Sequence, residues 1–254
     1  MSNRKLSAMR PSDGVVWITG ASSGIGAAVA LEMADRGWEV AISARSSKKL
    51  DKIAALHSNI KAFACDVTDR DGMSKTAQEI EAEFGSLAMI IANAGIYLPT
   101  RFPEFDVSVF DDSFDVNLTG TVNMVAAAYP FMIGREKGQI VLVSSVAGYN
   151  GLPTSAAYGA TKAALLNMGE AMAVDLAKHG LSVNMVAPGF IDTPATQKNT
   201  FHMPALMDVT KAATAMVDGL EKNRTRITFP KRFTFWLRLL TFLPRQLYVR
   251  LLSR

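Results

Sequence analysis

The feature that most constrains the fold is an apolar strand that ends in a glycine-rich turn and leads straight into a helix. Residues 15–19 read Val-Val-Trp-Ile-Thr, residues 20–26 read Gly-Ala-Ser-Ser-Gly-Ile-Gly, and a helical pattern then runs to Asp35. Glycine lets the backbone turn sharply, and the free N–H groups at a helix start favour a negative group such as a diphosphate. The spacing G-x-x-x-G-x-G also fits a tight turn that binds no ligand, so both interpretations stay open.

Apolar runs of strand length alternate with helical patterns along the rest of the chain. Together with the strand at residues 15–19, we predict strands at residues 39–43, 62–65, 87–92, 139–144, 181–187 and 226–229. Strands that alternate with helices imply right-handed crossovers and a parallel sheet covered on both faces. The sequence therefore predicts a single-domain, doubly wound α/β fold with a mostly parallel seven-stranded sheet and helices on both faces.

The length of 254 residues suits one sizeable domain, and no linker interrupts residues 15–229. We divide the chain into an N-terminal extension of residues 1–13, an α/β domain of residues 14–230, and a C-terminal tail of residues 231–254. The lone Cys65 excludes an internal disulfide and fits a reducing compartment. We see neither a secretory signal nor an apolar run of about 18 residues, so we expect a cytoplasmic protein.

Tyr158 and Lys162 stand four residues apart in a predicted helix over residues 156–178, so their side chains share one face. A tyrosine with its usual pKa of about 10 is a poor base at neutral pH, and a nearby ammonium would favour its phenolate. When the pair is taken alone, an ordinary amphipathic helix is the better explanation. Ser145, which follows a predicted strand thirteen positions earlier, and the glycine turn favour the chemical interpretation.

Several motifs together resemble the short-chain dehydrogenase/reductase family over about residues 14–194. They are Thr19-Gly20-x-x-x-Gly24-Ile25-Gly26, Asn93-Ala94-Gly95, Asn117, Ser145, Tyr158-x-x-x-Lys162 and Pro188-Gly189. The resemblance implies a Rossmann fold and a hydride transfer that interconverts a ketone or aldehyde and an alcohol, with a nicotinamide cofactor and no metal.

The resemblance also implies a role for each of four catalytic residues. Tyr158 would be the general acid in reduction and the base in oxidation, and Ser145 would hydrogen-bond the substrate oxygen. Lys162 would bind the nicotinamide ribose and lower the pKa of Tyr158. Asn117 would hold a water that connects the lysine to solvent.

The same resemblance implies a set of cofactor contacts. It puts Asp66 on the adenine amino group and Val67 beside the ring. It puts Asn93 and Gly95 at the ribose. The other positions in this set, besides Tyr158 and Lys162, are Gly20, Ser22, Ser23, Gly24, Ile25, Gly26, Ala94, Pro188, Gly189, Ile191 and Thr193, the last two at the nicotinamide carboxamide.

The end of the second strand bears on the choice between NADP and NAD. A fold specific for NAD usually places an acid there to bind the ribose, and this chain has Arg45 and Ser46 instead. A guanidinium can pair with a 2′-phosphate, so we predict NADP (NADPH) rather than NAD, unless Arg45 is a solvated surface residue. Many NADP-dependent members of the family carry a basic residue where this chain has Ser23. Arg45 would therefore bind the 2′-phosphate largely alone, with Ser46 as a second contact.

Residues 193–208 correspond to the substrate loop of the family. Phe201, Met203 and Met207 would form an apolar lid over a hydrophobic substrate or pack as core beneath the loop. We interpret His202 as a loop residue, because Tyr158 already fills the acid/base role.

The C-terminal tail is apolar and basic. Nine Lys and Arg residues and no acid follow Glu221, which leaves residues 1–221 with a formal charge of −5. The tail could pack at an oligomer interface, cap the substrate pocket, or lie on an anionic membrane as a peripheral contact. The long apolar stretch argues against nucleic acid. The resemblance suggests a homodimer or homotetramer.

Two functional hypotheses follow. The first is an NADP(H)-dependent oxidoreductase acting on a hydrophobic carbonyl or alcohol, with Tyr158 as acid/base. The alternative is an NADP-binding sensor or scaffold with little catalysis, which would not need Ser145, Tyr158, Lys162 and Asn117 together.

Overall fold

The seven predicted strands form one sheet in the computed structural model, which describes residues 6–102, 104–198 and 203–253. The strand order is β3-β2-β1-β4-β5-β6-β7, and every neighbouring pair is parallel. The doubly wound fold is confirmed, and the sheet is wholly rather than mostly parallel. The strands are β1 Val15–Thr19, β2 Glu39–Ser43, β3 Ile60–Ala62, β4 Leu87–Ala92, β5 Gly138–Val143, β6 Leu181–Pro188 and β7 Arg226–Phe229.

Helices cover both faces of the sheet because alternate strand residues point to opposite sides. Val16 and Ile18 of β1 pack in one apolar cluster with α1 and α7, whereas Val15 and Trp17 pack in a second with α3 and α5. The helices are α1 Gly24–Asp35, α2 Ser47–Ala54, α3 Arg70–Glu83, α4 Val107–Phe114, α5 Gly120–Gly134, α6 Ala156–Leu176, α7 Val209–Glu221, α8 Lys231–Leu239 and α9 Arg245–Leu252.

One predicted strand is displaced in the structure, and one helix is irregular. The third strand occupies Ile60–Ala62 rather than residues 62–65, although the chain stays beside β2, since the Cys65 N–H donates to the Ala44 carbonyl at 3.1 Å. The helix between β4 and β5 contains a π-helical turn, Asp115–Thr119, between α4 and α5. Such turns place an extra residue in the helix and occur often at functional sites.

The segments outside the central domain pack against it. Met9 of the N-terminal extension is buried, and its N–H donates to the Gln139 side chain at 3.0 Å. In the C-terminal tail, Thr234 is buried against β7, and the buried Tyr248 donates from its hydroxyl to the Gly151 carbonyl at 2.7 Å. No helix in the described part of the chain is long and apolar enough to span a membrane.

Two leucines near α2 provide a matched test of the packing. Leu50 is fully buried on the sheet, whereas Leu56 is 64% exposed. We expect Leu50→Ala to lower the free energy of unfolding by about 2–5 kcal/mol, because it leaves a cavity in the core. Leu56→Ala should change it by about 0.5 kcal/mol or less. Urea unfolding followed by circular dichroism measures both, and equal losses would contradict the assigned packing.

Candidate active site

A cavity of about 690 Å³ opens beyond the carboxyl ends of the central strands. It joins the glycine turn after β1 to the residues after β5 and at the start of α6. The predicted site residues that line it are Gly20, Ser23, Gly24, Ile25, Asn93, Gly95, Ser145, Tyr158, Lys162, Pro188, Gly189, Ile191 and Thr193. Ser22, Gly26, Ala94, Asn117, Arg45, Ser46, Asp66 and Val67 lie outside its lining.

The glycine turn is tied to the end of β4. The Thr19 hydroxyl accepts from the backbone N–H groups of Asn93 and Ala94 at 3.3 Å, and the Asn93 amide donates to the Thr19 carbonyl at 3.0 Å. A Cβ on Gly20 would stand 2.7 Å from the Ala94 Cα, so only glycine fits this crossing. The Asn93 side chain therefore positions the turn, a role that the resemblance did not assign to it.

The turn and the start of α1 fit a diphosphate. Gly24 begins α1 with a φ of +57°, and the first turn of the helix contains no acidic residue. The Ser23 side chain makes no capping hydrogen bond, which leaves the N–H groups at the helix start for a ligand. A cofactor phosphate would be held here by backbone N–H groups and the helix dipole.

Ser145 and Tyr158 meet in the cavity. The Ser145 Oγ accepts from the Ala147 N–H at 3.1 Å, which fixes the serine at the start of a short helical turn. Burial raises the pKa of Tyr158, the hydrogen bond with Ser145 partly offsets the rise, and Tyr97 adds to it. The phenol is therefore protonated at neutral pH.

Lys162 is a buried cation beside the tyrosine. Its Nζ donates to the Val143 carbonyl at 2.9 Å and lies 5.5 Å from the centre of the Tyr158 ring. Burial lowers the pKa of Lys162 to about 8. We expected Lys162 to lower the pKa of Tyr158. With the protein's own groups alone, this pKa is raised instead, because burial of the phenol outweighs its hydrogen bond with Ser145.

Asn117 is fully buried in the π-helical turn. Its Oδ1 accepts from the Ile96 N–H at 2.7 Å, and its Nδ2 donates to the Ile96 carbonyl at 3.0 Å and to the Thr161 hydroxyl at 3.2 Å. A Cβ on Gly95 would stand 3.1 Å from Asn117 Oδ1 and 3.4 Å from Lys162 Nζ. Asn117 thus fastens the loop after β4 beside the lysine, and its side-chain amide is already engaged with protein groups.

The residues expected around the adenosine half lie at the same edge of the sheet but outside the cavity. Arg45 is exposed directly after β2, and Ser46 precedes α2. Asp66 Oδ1 accepts from the Thr68 N–H at 3.0 Å and from its hydroxyl at 2.9 Å, while Val67 is buried against α5. The predicted site residues therefore fall into two groups, one that lines the cavity and one that lies on the surface outside it.

The substrate loop begins against the glycine turn. A Cβ on Gly24 would stand 3.4 Å from Thr193 Cγ2, and Thr196 holds this loop by donating to the Ile191 carbonyl at 2.5 Å. Pro204 lines the cavity, and Met207 packs against the core. Phe201 and His202, which we assigned to the loop, lie outside the described residues.

The predicted set missed several residues that line the cavity, among them Tyr97, Phe233 and Leu237. The Tyr97 ring stands edge-on to Tyr158 with centroids 5.3 Å apart, and its hydroxyl lies 3.0 Å from the Thr154 hydroxyl. Phe233 and Leu237 of α8 form the opposite wall. Tyr97 follows the Asn93-Ala94-Gly95 motif by two positions, a signal that could have found it. Nothing in the tail sequence says which apolar side chains enter the cavity.

A parallel sheet in this strand order, with a glycine turn after its first strand, defines a Rossmann dinucleotide-binding protein. A family model described as short chain dehydrogenase matches residues 14–203. An uncharacterised oxidoreductase of Myxococcus xanthus is 34% identical over 235 residues, which cover 91% of this chain and 93% of that protein. The chain therefore belongs to the short-chain dehydrogenase/reductase family and is an oxidoreductase of that family.

Two further similarities are relevant to the site. A 3-oxoacyl-[acyl-carrier-protein] reductase, FabG, of Staphylococcus aureus is 38% identical over 186 residues, which cover 70% of this chain and 75% of that protein. The solved structure of ElxO with NADP bound has a TM-score of 0.77 and 29% identity, and the match covers 85% of this chain and 96% of ElxO.

The lowered pKa of Lys162 should make stability depend on pH. In the folded protein this lysine loses its proton near pH 8, whereas in the unfolded chain it keeps the proton to about 10.5. The unfolded state therefore binds more protons between these values, and stability rises with pH across that window. Relative to Lys162→Met, the wild type should gain about 2–3 kcal/mol of unfolding free energy between pH 8 and pH 10. Urea unfolding at several pH values measures the difference, and parallel curves would contradict the assigned pKa.

Proposed function

We propose that this protein is an NADP(H)-dependent oxidoreductase that interconverts a ketone or aldehyde and an alcohol on a hydrophobic substrate. The observation that carries the proposal is the shared cavity. It brings a turn suited to a diphosphate together with Ser145, Tyr158 and Lys162. A substrate carbonyl beside the Ser145 and Tyr158 hydroxyls would also lie beside the cofactor.

The bound cofactor supplies or accepts the hydride, and the protein handles the charge on the substrate oxygen. In reduction the Ser145 hydroxyl hydrogen-bonds that oxygen, and Tyr158 gives it a proton as the negative charge develops. The raised pKa of Tyr158 keeps this proton in place at neutral pH, which suits the acid role. Lys162 would hold the nicotinamide ribose, and Asn117 orders the loop next to the lysine.

The preference for NADP rests on the end of β2 and on a similar structure. Arg45 is exposed there, and no carboxylate stands at residues 43–46 to repel a 2′-phosphate. ElxO, which this chain resembles along most of its length, binds NADP. NAD would find no acid at this position for its ribose hydroxyls.

The preference for a hydrophobic substrate rests on the cavity wall. Apolar side chains dominate the part of the cavity away from the glycine turn, including Ile96, Leu152, Phe190, Phe233 and Leu237. The related FabG is named for the reduction of an oxoacyl group. An apolar wall facing two hydroxyls favours a substrate with one polar carbonyl on a larger hydrocarbon body.

The proposal includes a cytoplasmic homodimer or homotetramer. Large apolar side chains on α5 and α6, including Val122 and Val174, are exposed and offer a contact surface between subunits.

The catalytic role of Tyr158 can be tested by Tyr158→Phe. We expect turnover to fall by about 10²–10⁴-fold, because the phenol that supplies the proton is lost, while NADPH binding is retained. The measurements are NADPH oxidation over carbonyls from small and polar to long-chain, and cofactor fluorescence titration. Tyr129→Phe, on α5, is the matched control.

Full activity in Tyr158→Phe would overturn the mechanism. Tight NADPH binding by the wild type, with no turnover of any carbonyl in the panel, would favour the sensor or scaffold hypothesis instead.

The role of Arg45 can be tested by comparing the two cofactors. We expect Arg45→Ala to weaken NADPH binding by about 10–100-fold, because a charge-assisted hydrogen bond to the phosphate is lost, and to leave NADH binding unchanged. Lys49→Ala, one turn into α2, controls for the general effect of a nearby positive charge. Equal losses of affinity for NADPH and NADH would show that Arg45 does not bind the 2′-phosphate.

A further inference from the structure

The C-terminal tail exposes an unusual amount of apolar surface. Trp236 is 66% exposed and Phe242 is 80% exposed. Among the described residues of the tail, the large apolar side chains left in solvent are Phe235, Trp236, Leu239, Phe242, Leu247, Val249 and Leu251. Single exposed apolar residues are common on protein surfaces, but a cluster of this size on a short segment marks an interaction site.

The two sides of α8 have different surroundings. Phe233 and Leu237 face the protein and line the cavity. Phe235, Trp236 and Leu239 are spaced to share the opposite side, where Phe235 and Trp236 pack edge to face with centroids 5.8 Å apart. The outward aromatic side chains are therefore not part of the core, and folding of the chain leaves them uncovered.

The charged residues of the tail are all basic. Residues 231–254 contain six Lys and Arg residues and no Asp or Glu. Lys231, Arg232, Arg238 and Arg250 are exposed, while Arg245 donates to the Asn150 side chain at 2.7 Å. A partner that covers the aromatic side chains must therefore also carry negative charge.

We propose that the tail binds the surface of an anionic lipid membrane. Trp and Phe side chains lie favourably at the boundary between headgroups and acyl chains, and arginines flanking them meet anionic headgroups. The helices of the tail lie on the protein surface, so both groups of side chains can reach a membrane without unfolding. This binding does not depend on the reaction assigned to the cavity.

Other occupants fit the same surface less well. A second copy of the chain, related by a two-fold axis, would bring each positively charged tail against the same charge on its partner. Nucleic acid would match the charge but leave the aromatic cluster exposed. An acidic protein would match the charge, and the experiment below distinguishes it from lipid.

The test uses the full-length protein and vesicles of phosphatidylcholine, with or without phosphatidylglycerol. We expect co-sedimentation with the phosphatidylglycerol vesicles that weakens as salt is raised. Arg232→Gln and Arg238→Gln should each weaken the partition by about fivefold. The double variant Trp236→Ser/Phe242→Ser should weaken it by at least about tenfold, because two aromatic side chains no longer enter the interface.

Two controls match these changes elsewhere on the surface. Phe102→Ser removes an aromatic side chain that is 67% exposed, and Lys49→Gln removes a surface charge. Both should bind vesicles as the wild type does. Equal binding by the tail variants and the controls, or no binding to either vesicle, would overturn the proposal.

Two further results would also overturn it, by assigning the surface to a different partner. Retention of the wild type on immobilised poly-glutamate without vesicle binding would indicate an acidic protein. Loss of an oligomer in Trp236→Ser/Phe242→Ser, measured by sedimentation velocity, without vesicle binding by the wild type, would indicate a contact between subunits.

Discussion

The position of β1 between β2 and β4 is the constraint on which the site depends. β1 pairs with β2 on one side and with β4 on the other, so the connections that leave these strands diverge at their carboxyl ends. The crevice between them is where the glycine turn and the loop after β4 face each other. The Thr19 hydroxyl closes the base of the crevice by accepting from two N–H groups of that loop. The Asn93 side chain adds a second tie by donating to the Thr19 carbonyl, so the turn and the loop hold each other in place.

Burial of the tyrosine and the lysine then sets the protonation of the site. Burial disfavours the charged form of each group, so the pKa of Tyr158 rises while that of Lys162 falls to about 8. The lysine therefore loses its proton before the tyrosine does. With these protein groups alone, the phenol keeps its proton at neutral pH.

Much of this structure could be predicted from the sequence, because the relevant signals are local. Apolar runs marked the seven strands, and Asn93 and Ser145 directly follow two of them, whose carboxyl ends meet at one edge of a parallel sheet. The π-helical turn had no such signal, since it depends on the bonds of Asn117 to Ile96 and Thr161, which are distant in sequence. The apolar pattern of the tail could not show which side faces the cavity, because both sides of α8 are apolar.

Contacts made by the inward side of α8 hold this helix against the domain. A helix of this length is marginal alone, so packing of Phe233 on Phe190 and the bond from Thr234 to Thr228 hold it in place. A Cβ on Gly189 would stand 2.9 Å from the Phe233 ring, which shows how closely the helix approaches the end of β6. The outward side chains are therefore fixed relative to the cavity. Whatever binds the outward side of α8 is therefore held at a set distance from the part of the cavity lined by Phe233 and Leu237.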